Sequence, residues 1–155
     1  MLNMKISEKG LKFLVSLEGC RDTIYKDSVG LDTIGVGHLV KKGEVFEQPM
    51  KLEAIYDLLR KDLAPVEEAI NRLISVPLTQ NQFDALCCLV FNIGIGDSTA
   101  IGVGGFTNST VRKVINRNGS FNEIRGAWLL WKKAGGMVSK GLLSRRFKEI
   151  ALYGS

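Results

Sequence analysis

Residues 25–38 read Tyr25-Lys-Asp-Ser-Val-Gly-Leu-Asp-Thr-Ile-Gly-Val-Gly-His38. Glycines alternate there with β-forming residues, which predicts a small antiparallel sheet turning near residues 28–30. Upstream, Ser7 is a predicted N-cap, and Leu11, Leu14, Val15 and Leu17 follow at helical spacing. That helix should stop at Gly19. Downstream, Pro49 is expected to open a long amphipathic helix carrying Leu52, Ile55, Tyr56, Leu59 and Leu63. Pro65 should kink or end it, with helix resuming over residues 66–74. Beyond Pro77 the pattern predicts helices over residues 81–93, 110–117, 123–133 and 142–152, with a glycine-rich loop over 94–105. No repeat or low-complexity tract interrupts this order. A helix, a small sheet, a connecting helix and a helical lobe make an α+β fold.

The 155 residues are 45% hydrophobic and 24% charged, which excludes a disordered chain. This length suits one domain, read as an N-terminal lobe to about residue 50, a connecting helix to about 74 and a C-terminal lobe to 155. Lys and Arg number 21 against 16 Asp and Glu, a net charge of +5. The excess is concentrated in residues 111–155, where the only acids among ten basic residues are Glu123 and Glu149. Such a region favours an anionic partner: nucleic acid, membrane surface or acidic wall polymer.

Three cysteines, Cys20 and the adjacent Cys87 and Cys88, make no disulfide framework and suit a reducing cytoplasm. No run reaches the roughly 20 apolar residues of a membrane span. Lys5, Glu8, Lys9 and Lys12 break any signal-like N-terminus. The expectation is a chain without stable membrane insertion that needs help to leave the cytoplasm.

Glu18 falls at the predicted end of the first helix, where a negative charge faces the negative end of the helix dipole. A carboxyl that keeps its proton is what a general acid for glycoside cleavage requires. Asp27 lies at the start of the turn, in a mobile, solvated position suited to an ionised carboxylate. Thr33 lies on the returning strand, where its hydroxyl could share a water with Asp27. These are the roles of an inverting glycosidase, whose carboxyls stand roughly 6.5–9.5 Å apart. By spacing alone, however, Glu18 and Asp27 read more simply as two of sixteen acids on solvated faces. His38, the single histidine, reads as a structural hydrogen-bonding residue. With no second histidine or Cys-x-x-Cys pair, neither a metal nor any other cofactor is expected. Trp128 and Trp131 suit either sugar stacking or a core position.

The string Glu18-Gly-Cys-Arg21, Tyr25-Lys-Asp27 and Thr33-Ile-Gly-Val-Gly-His38 resembles the phage lysozymes of glycoside hydrolase family 24, the T-even phage type. The similarity continues through Leu78–Leu86, Phe91–Gly94, Gly105–Ser109, Trp131–Gly136 and Gly141–Arg146. It implies a lysozyme-like two-lobed fold with saccharide in the cleft between lobes. It also implies catalytic roles for Glu18, Asp27 and Thr33, and substrate contacts at Leu39, Phe91 and Ser109. Near Arg125 a further polar contact is implied, and Arg145 or Arg146 would pair with Glu18 or touch substrate. Asp22 and Asp32 flank Asp27, but Asp32 should point away from the Thr33 face.

The implied activity is that of a muramidase cutting the β-1,4 bond between N-acetylmuramic acid and N-acetylglucosamine in peptidoglycan. The implied role is that of an endolysin, monomeric, held in the host cytoplasm and acting in the periplasm once a separate holin-type pore releases it. A lytic transglycosylase is the enzymatic alternative, disfavoured by an intact Asp27–Thr33 water site. A basic binding module is the non-enzymatic one. No nucleic-acid motif supports nucleic acid as a partner.

Overall fold

The computed structural model describes residues 3–97 and 104–155. The elements run α1 (Glu8–Glu18), β1 (Arg21–Lys26), β2 (Asp32–Gly35), β3 (His38–Leu39), α2 (Leu52–Leu73), α3 (Gln80–Ile93), α4 (Thr110–Asn116), α5 (Phe121–Trp128), β4 (Lys133–Ala134), β5 (Met137–Val138) and α6 (Lys140–Tyr153). Strands β1, β2 and β3 form one antiparallel sheet in that order, and β4 and β5 form a separate ribbon. The fold is α+β. None of the described helices is long and apolar enough to cross a membrane.

Two compact units make up the chain, residues 11–64 and residues 1–10 with 65–155. In the first, Leu11, Leu14, Ile34, Val36, Ile55, Leu59 and Leu63 are buried. In the second, α3 is buried without interruption from Phe83 to Val90, which marks it as the central helix. Its start is set by a capping box in which Thr79 and Gln82 satisfy each other's backbone N–H groups.

Met4, Ile6 and Ser7 are tied into this second unit by hydrogen bonds. Asn71 accepts from the Met4 N–H and donates to its carbonyl, both at 2.9 Å. The Ile6 N–H reaches Glu67 at 2.8 Å. The Ser7 N–H reaches Asp84 Oδ1 at 2.9 Å, and the Ser7 hydroxyl bonds Asp84 Oδ2 while capping the Gly10 N–H. Asp84 is fully buried and also accepts from Gln80 at 2.8 Å. A Cβ on Gly10 would sit 2.6 Å from the Asp84 carboxyl carbon, so only glycine admits this approach.

Glu149, on α6, has no solvent exposure. It accepts from Trp128 Nε1 at 3.0 Å and Arg145 Nε at 3.0 Å, and pairs with Arg146 Nε at 2.8 Å. These bonds tie α6 to α5. Arg145 and Arg146 extend the network to α3, donating to the Cys88 carbonyl at 3.0 Å and to Asn92 at 2.7 Å.

Three boundaries differ from the sequence reading. Helix α2 opens at Leu52 rather than at Pro49, and the Met50 N–H just before it bonds the Asp22 carbonyl at 2.8 Å. It also runs unbroken through Pro65. Interior proline costs about 3 kcal/mol, which the continuous buried stripe Leu63, Val66, Ala69, Ile70 and Leu73 outweighs. Helix α5 stops at Trp128, where Leu130 and Trp131 make tight three-residue hydrogen bonds to Ala127 and Trp128. Residues 133–138 then form a ribbon turning at Gly135 and Gly136, both at positive φ. Of the expected loop 94–105, residues 98–103 lie outside the described residues.

Two substitutions test these close contacts. Gly10→Ala should lower the unfolding free energy by about 1–3 kcal/mol. Glu149→Ala leaves Arg146 buried without its counter-charge and should cost about 3–5 kcal/mol. Urea unfolding measures both, and a wild-type midpoint in either variant contradicts the packing described.

Candidate active site

Helix α1 ends on Glu18 because Gly19 follows at φ +74°, a left-handed conformation that its N–H uses to bond the Val15 carbonyl at 2.7 Å. Glu18 is exposed at that last position. Nine residues on, past the end of β1, a turn is built around Asp27. Its backbone N–H bonds the Leu31 carbonyl at 2.9 Å, and its carbonyl accepts from Gly30 at 3.0 Å. Its carboxylate Oδ1 accepts from the N–H groups of Val29 at 2.9 Å and Leu31 at 2.8 Å. The sequence suggested a loose, solvated turn, but Asp27 is half-buried and organises the turn with its own side chain.

Thr33 is buried on β2, opposite Tyr25 of β1 and Leu39 of β3. Its hydroxyl donates to the Leu31 carbonyl at 2.9 Å. Leu31 thus holds both side chains, its N–H on Asp27 and its carbonyl on Thr33. The strand alternation puts Asp32 on the opposite face, exposed and paired with Lys26 at 2.6 Å. Asp22 is exposed on β1.

His38 is buried between two carboxylates. Its Nδ1 lies 2.8 Å from Asp62 Oδ2 and its Nε2 lies 3.0 Å from Glu44 Oε1. The Phe46 ring meets it edge-on at 5.8 Å. Burial works against the imidazolium, but the hydrogen bonds and charges of Glu44 and Asp62 outweigh it and raise its pKa. The same contact with His38 lowers the pKa of Glu44. This is the structural histidine expected. Its partners, 6 and 24 residues away, carried no sequence signal. Among the described residues, no group of three or more His, Cys, Asp or Glu side chains is arranged to hold a metal ion.

A family model described as phage lysozyme matches residues 15–149. The chain belongs to the phage lysozyme family. It is 43% identical over 153 residues to the endolysin of Salmonella phage P22, covering 97% of this chain and 98% of that protein. The crystal structure of a P22 lysozyme mutant superposes with a TM-score of 0.82 at 42% identity, covering 98% of this chain and 99% of that one. The muramidase domain of SpmX from Asticaccaulis excentricus gives 0.80 at 35% identity, covering 97% and 98%. The P22 relatives thus stand where the sequence reading named the T-even type.

The other residues the family resemblance suggested divide by burial. Leu39 is exposed and Phe91 half-buried. Ser109 is buried, and its hydroxyl donates to the Phe106 carbonyl at 2.7 Å while capping α4 through the Arg112 N–H at 3.1 Å. That hydroxyl serves the fold. Arg146 is buried, and its contacts include Glu149, Asn92 and the Trp131 carbonyl. Arg145 keeps a small exposed edge. Arg125 is exposed over the Phe147 ring. Trp128 is core and Trp131 half-buried.

The histidine cluster makes a pH prediction. A raised histidine pKa stabilises the fold fully below the unfolded value of about 6.5 and loses that contribution as pH rises through the folded value. The lowered Glu44 pKa contributes above the unfolded carboxylate value of about 4.3 and is lost as pH falls through the folded one. The gap in thermal midpoint between wild type and His38→Gln should therefore be widest between these limits. It should narrow on both sides in a pH series, and a gap constant across the series contradicts the pairing.

Proposed function

We propose that this chain is an endolysin, a muramidase that hydrolyses the β-1,4 bond between N-acetylmuramic acid and N-acetylglucosamine of peptidoglycan by inversion. Membership of the phage lysozyme family supports the activity. The observation that carries the mechanism is the Asp27–Leu31–Thr33 arrangement.

Because the Thr33 proton is committed to the Leu31 carbonyl, Thr33 Oγ1 faces a water as an acceptor. With Oδ1 of Asp27 engaged by two N–H groups, Oδ2 is the oxygen left to accept the other water proton. A water held by both presents its lone pair to the anomeric carbon. As it attacks, Glu18 donates its proton to the leaving oxygen and Asp27 takes the proton the water loses. Solvent then restores both carboxyls. No metal or cofactor takes part. The family resemblance supports Leu39, Phe91, Ser109 and one of Arg145 and Arg146 as further substrate contacts. We assign the chain to glycoside hydrolase family 24, with the T-even arrangement of Glu, Asp and Thr. It would work as a single monomeric lysozyme domain, accumulate in the host cytoplasm and reach the periplasmic wall through a separate holin-type pore.

Turbidity of permeabilised Gram-negative cells tests the roles. Glu18→Gln and Asp27→Asn should each lower clearing by roughly 10²–10⁴-fold while remaining folded, with Thr33→Ala also impaired. Full lysis by folded Glu18→Gln refutes the assignment. Mass spectrometry should show reducing ends, and NMR the inverted anomer first. Anhydromuramyl ends would establish a lytic transglycosylase instead.

A further inference from the structure

The β4–β5 ribbon has no part in the chemistry above. Both strands are exposed on both faces. Met137 is 76% exposed and Val138 54%, and Leu130, just before the ribbon, is 62% exposed. Single exposed apolar residues need no explanation, but here three fall within nine residues, two of them on the two faces of one short ribbon. The register sets Lys133 opposite Val138 and Ala134 opposite Met137, and the Ser139 N–H closes the base on the Lys132 carbonyl at 2.8 Å. Lys140 follows at once, exposed. Between Glu123 and Glu149 the chain contains no acid. Lys132 and Lys140 therefore flank the base of the ribbon and Lys133 lies on it, without a neighbouring carboxylate in sequence.

We propose that this ribbon is a peripheral docking surface for an anionic phospholipid bilayer. A nucleic acid or acidic wall polymer would be served by the lysines alone and would gain little from Met137 and Val138. An uncharged apolar partner would be served by those two and would gain nothing from the lysines. Only a bilayer of anionic headgroups over acyl chains rewards both. At about 3.3 Å per residue, the ribbon projects roughly 10 Å from its base, the depth of the headgroup and acyl boundary. The Gly135–Gly136 turn leads with backbone, with Met137 beside it on one face and Val138 one residue nearer the base on the other. This contact holds the protein at a membrane surface and does not span it.

Sedimentation of the full chain with phosphatidylglycerol–phosphatidylcholine vesicles, and with phosphatidylcholine vesicles alone, tests the proposal. Wild type should bind the anionic vesicles, less tightly as salt rises, and leave the neutral ones. Met137→Ser combined with Val138→Ser should weaken binding about tenfold or more, with an unchanged unfolding midpoint and unchanged hydrolysis of purified peptidoglycan. Lys133→Glu combined with Lys140→Glu should weaken vesicle binding at least as much, since each cation near such a surface contributes about fivefold. The proposal fails if wild type ignores anionic vesicles. It also fails if the serine variant binds them as wild type does, which would mean adsorption by net charge. Loss of binding to purified wall polymer or DNA, with vesicle binding intact, would give the ribbon to that polymer. Because binding is read without turnover, the result is independent of the Glu18 and Asp27 assignment.

Discussion

A carboxylate removed from water must be answered by donors inside the protein, and Glu149 is answered by three. Those donors belong to α5 and α6, and the arginines among them continue to α3. The orientation of the helical unit thus converges on one side chain. Hydrophobic burial alone would let α6 rotate against α3, since apolar contact is non-directional. The charged network permits one register, because any other leaves Glu149 or Arg146 in the core without its partner.

Asp84 plays a similar part at the N-terminus, where its buried carboxylate fixes the first turn of α1 through Ser7. The turn at Asp27 uses the same chemistry near the surface. Asp27 holds its own loop by accepting two backbone N–H groups, and Leu31 relays that loop to Thr33. Local hydrogen bonding, rather than packing, sets the direction of these two side chains. In all three places an acidic side chain gathers backbone or cationic donors and thereby positions an element.

What was legible in the sequence was local. Ser7 and Gly19 bracket α1, the glycines among β-formers mark the three-stranded sheet, and apolar spacing gives α3 and α6. The Glu18, Asp27 and Thr33 pattern led to the family that the comparisons identify. The β4–β5 ribbon was missed although Gly135-Gly136 is a recognised hairpin signal, because helical spacing through Trp128 and Trp131 was followed too far. Pro65 was overread, since a local penalty says nothing of the burial that offsets it. The partners of His38 and the interior place of Arg146 depend on residues far along the chain. A cation seldom goes into a core, and the core acid that admits Arg146 cannot be told from a surface one by sequence.

The cysteines create an opportunity for chemical labelling. Cys87 and Cys88 are buried in α3, and burial pushes the Cys87 thiol well up, away from reactive thiolate. Cys20 is exposed two residues beyond Glu18. A maleimide dye or nitroxide added to the unmodified protein therefore has one accessible target, just beyond the end of the helix that carries Glu18. The wild-type chain supplies its own site-selective handle for fluorescence or spin-resonance observation of substrate engagement.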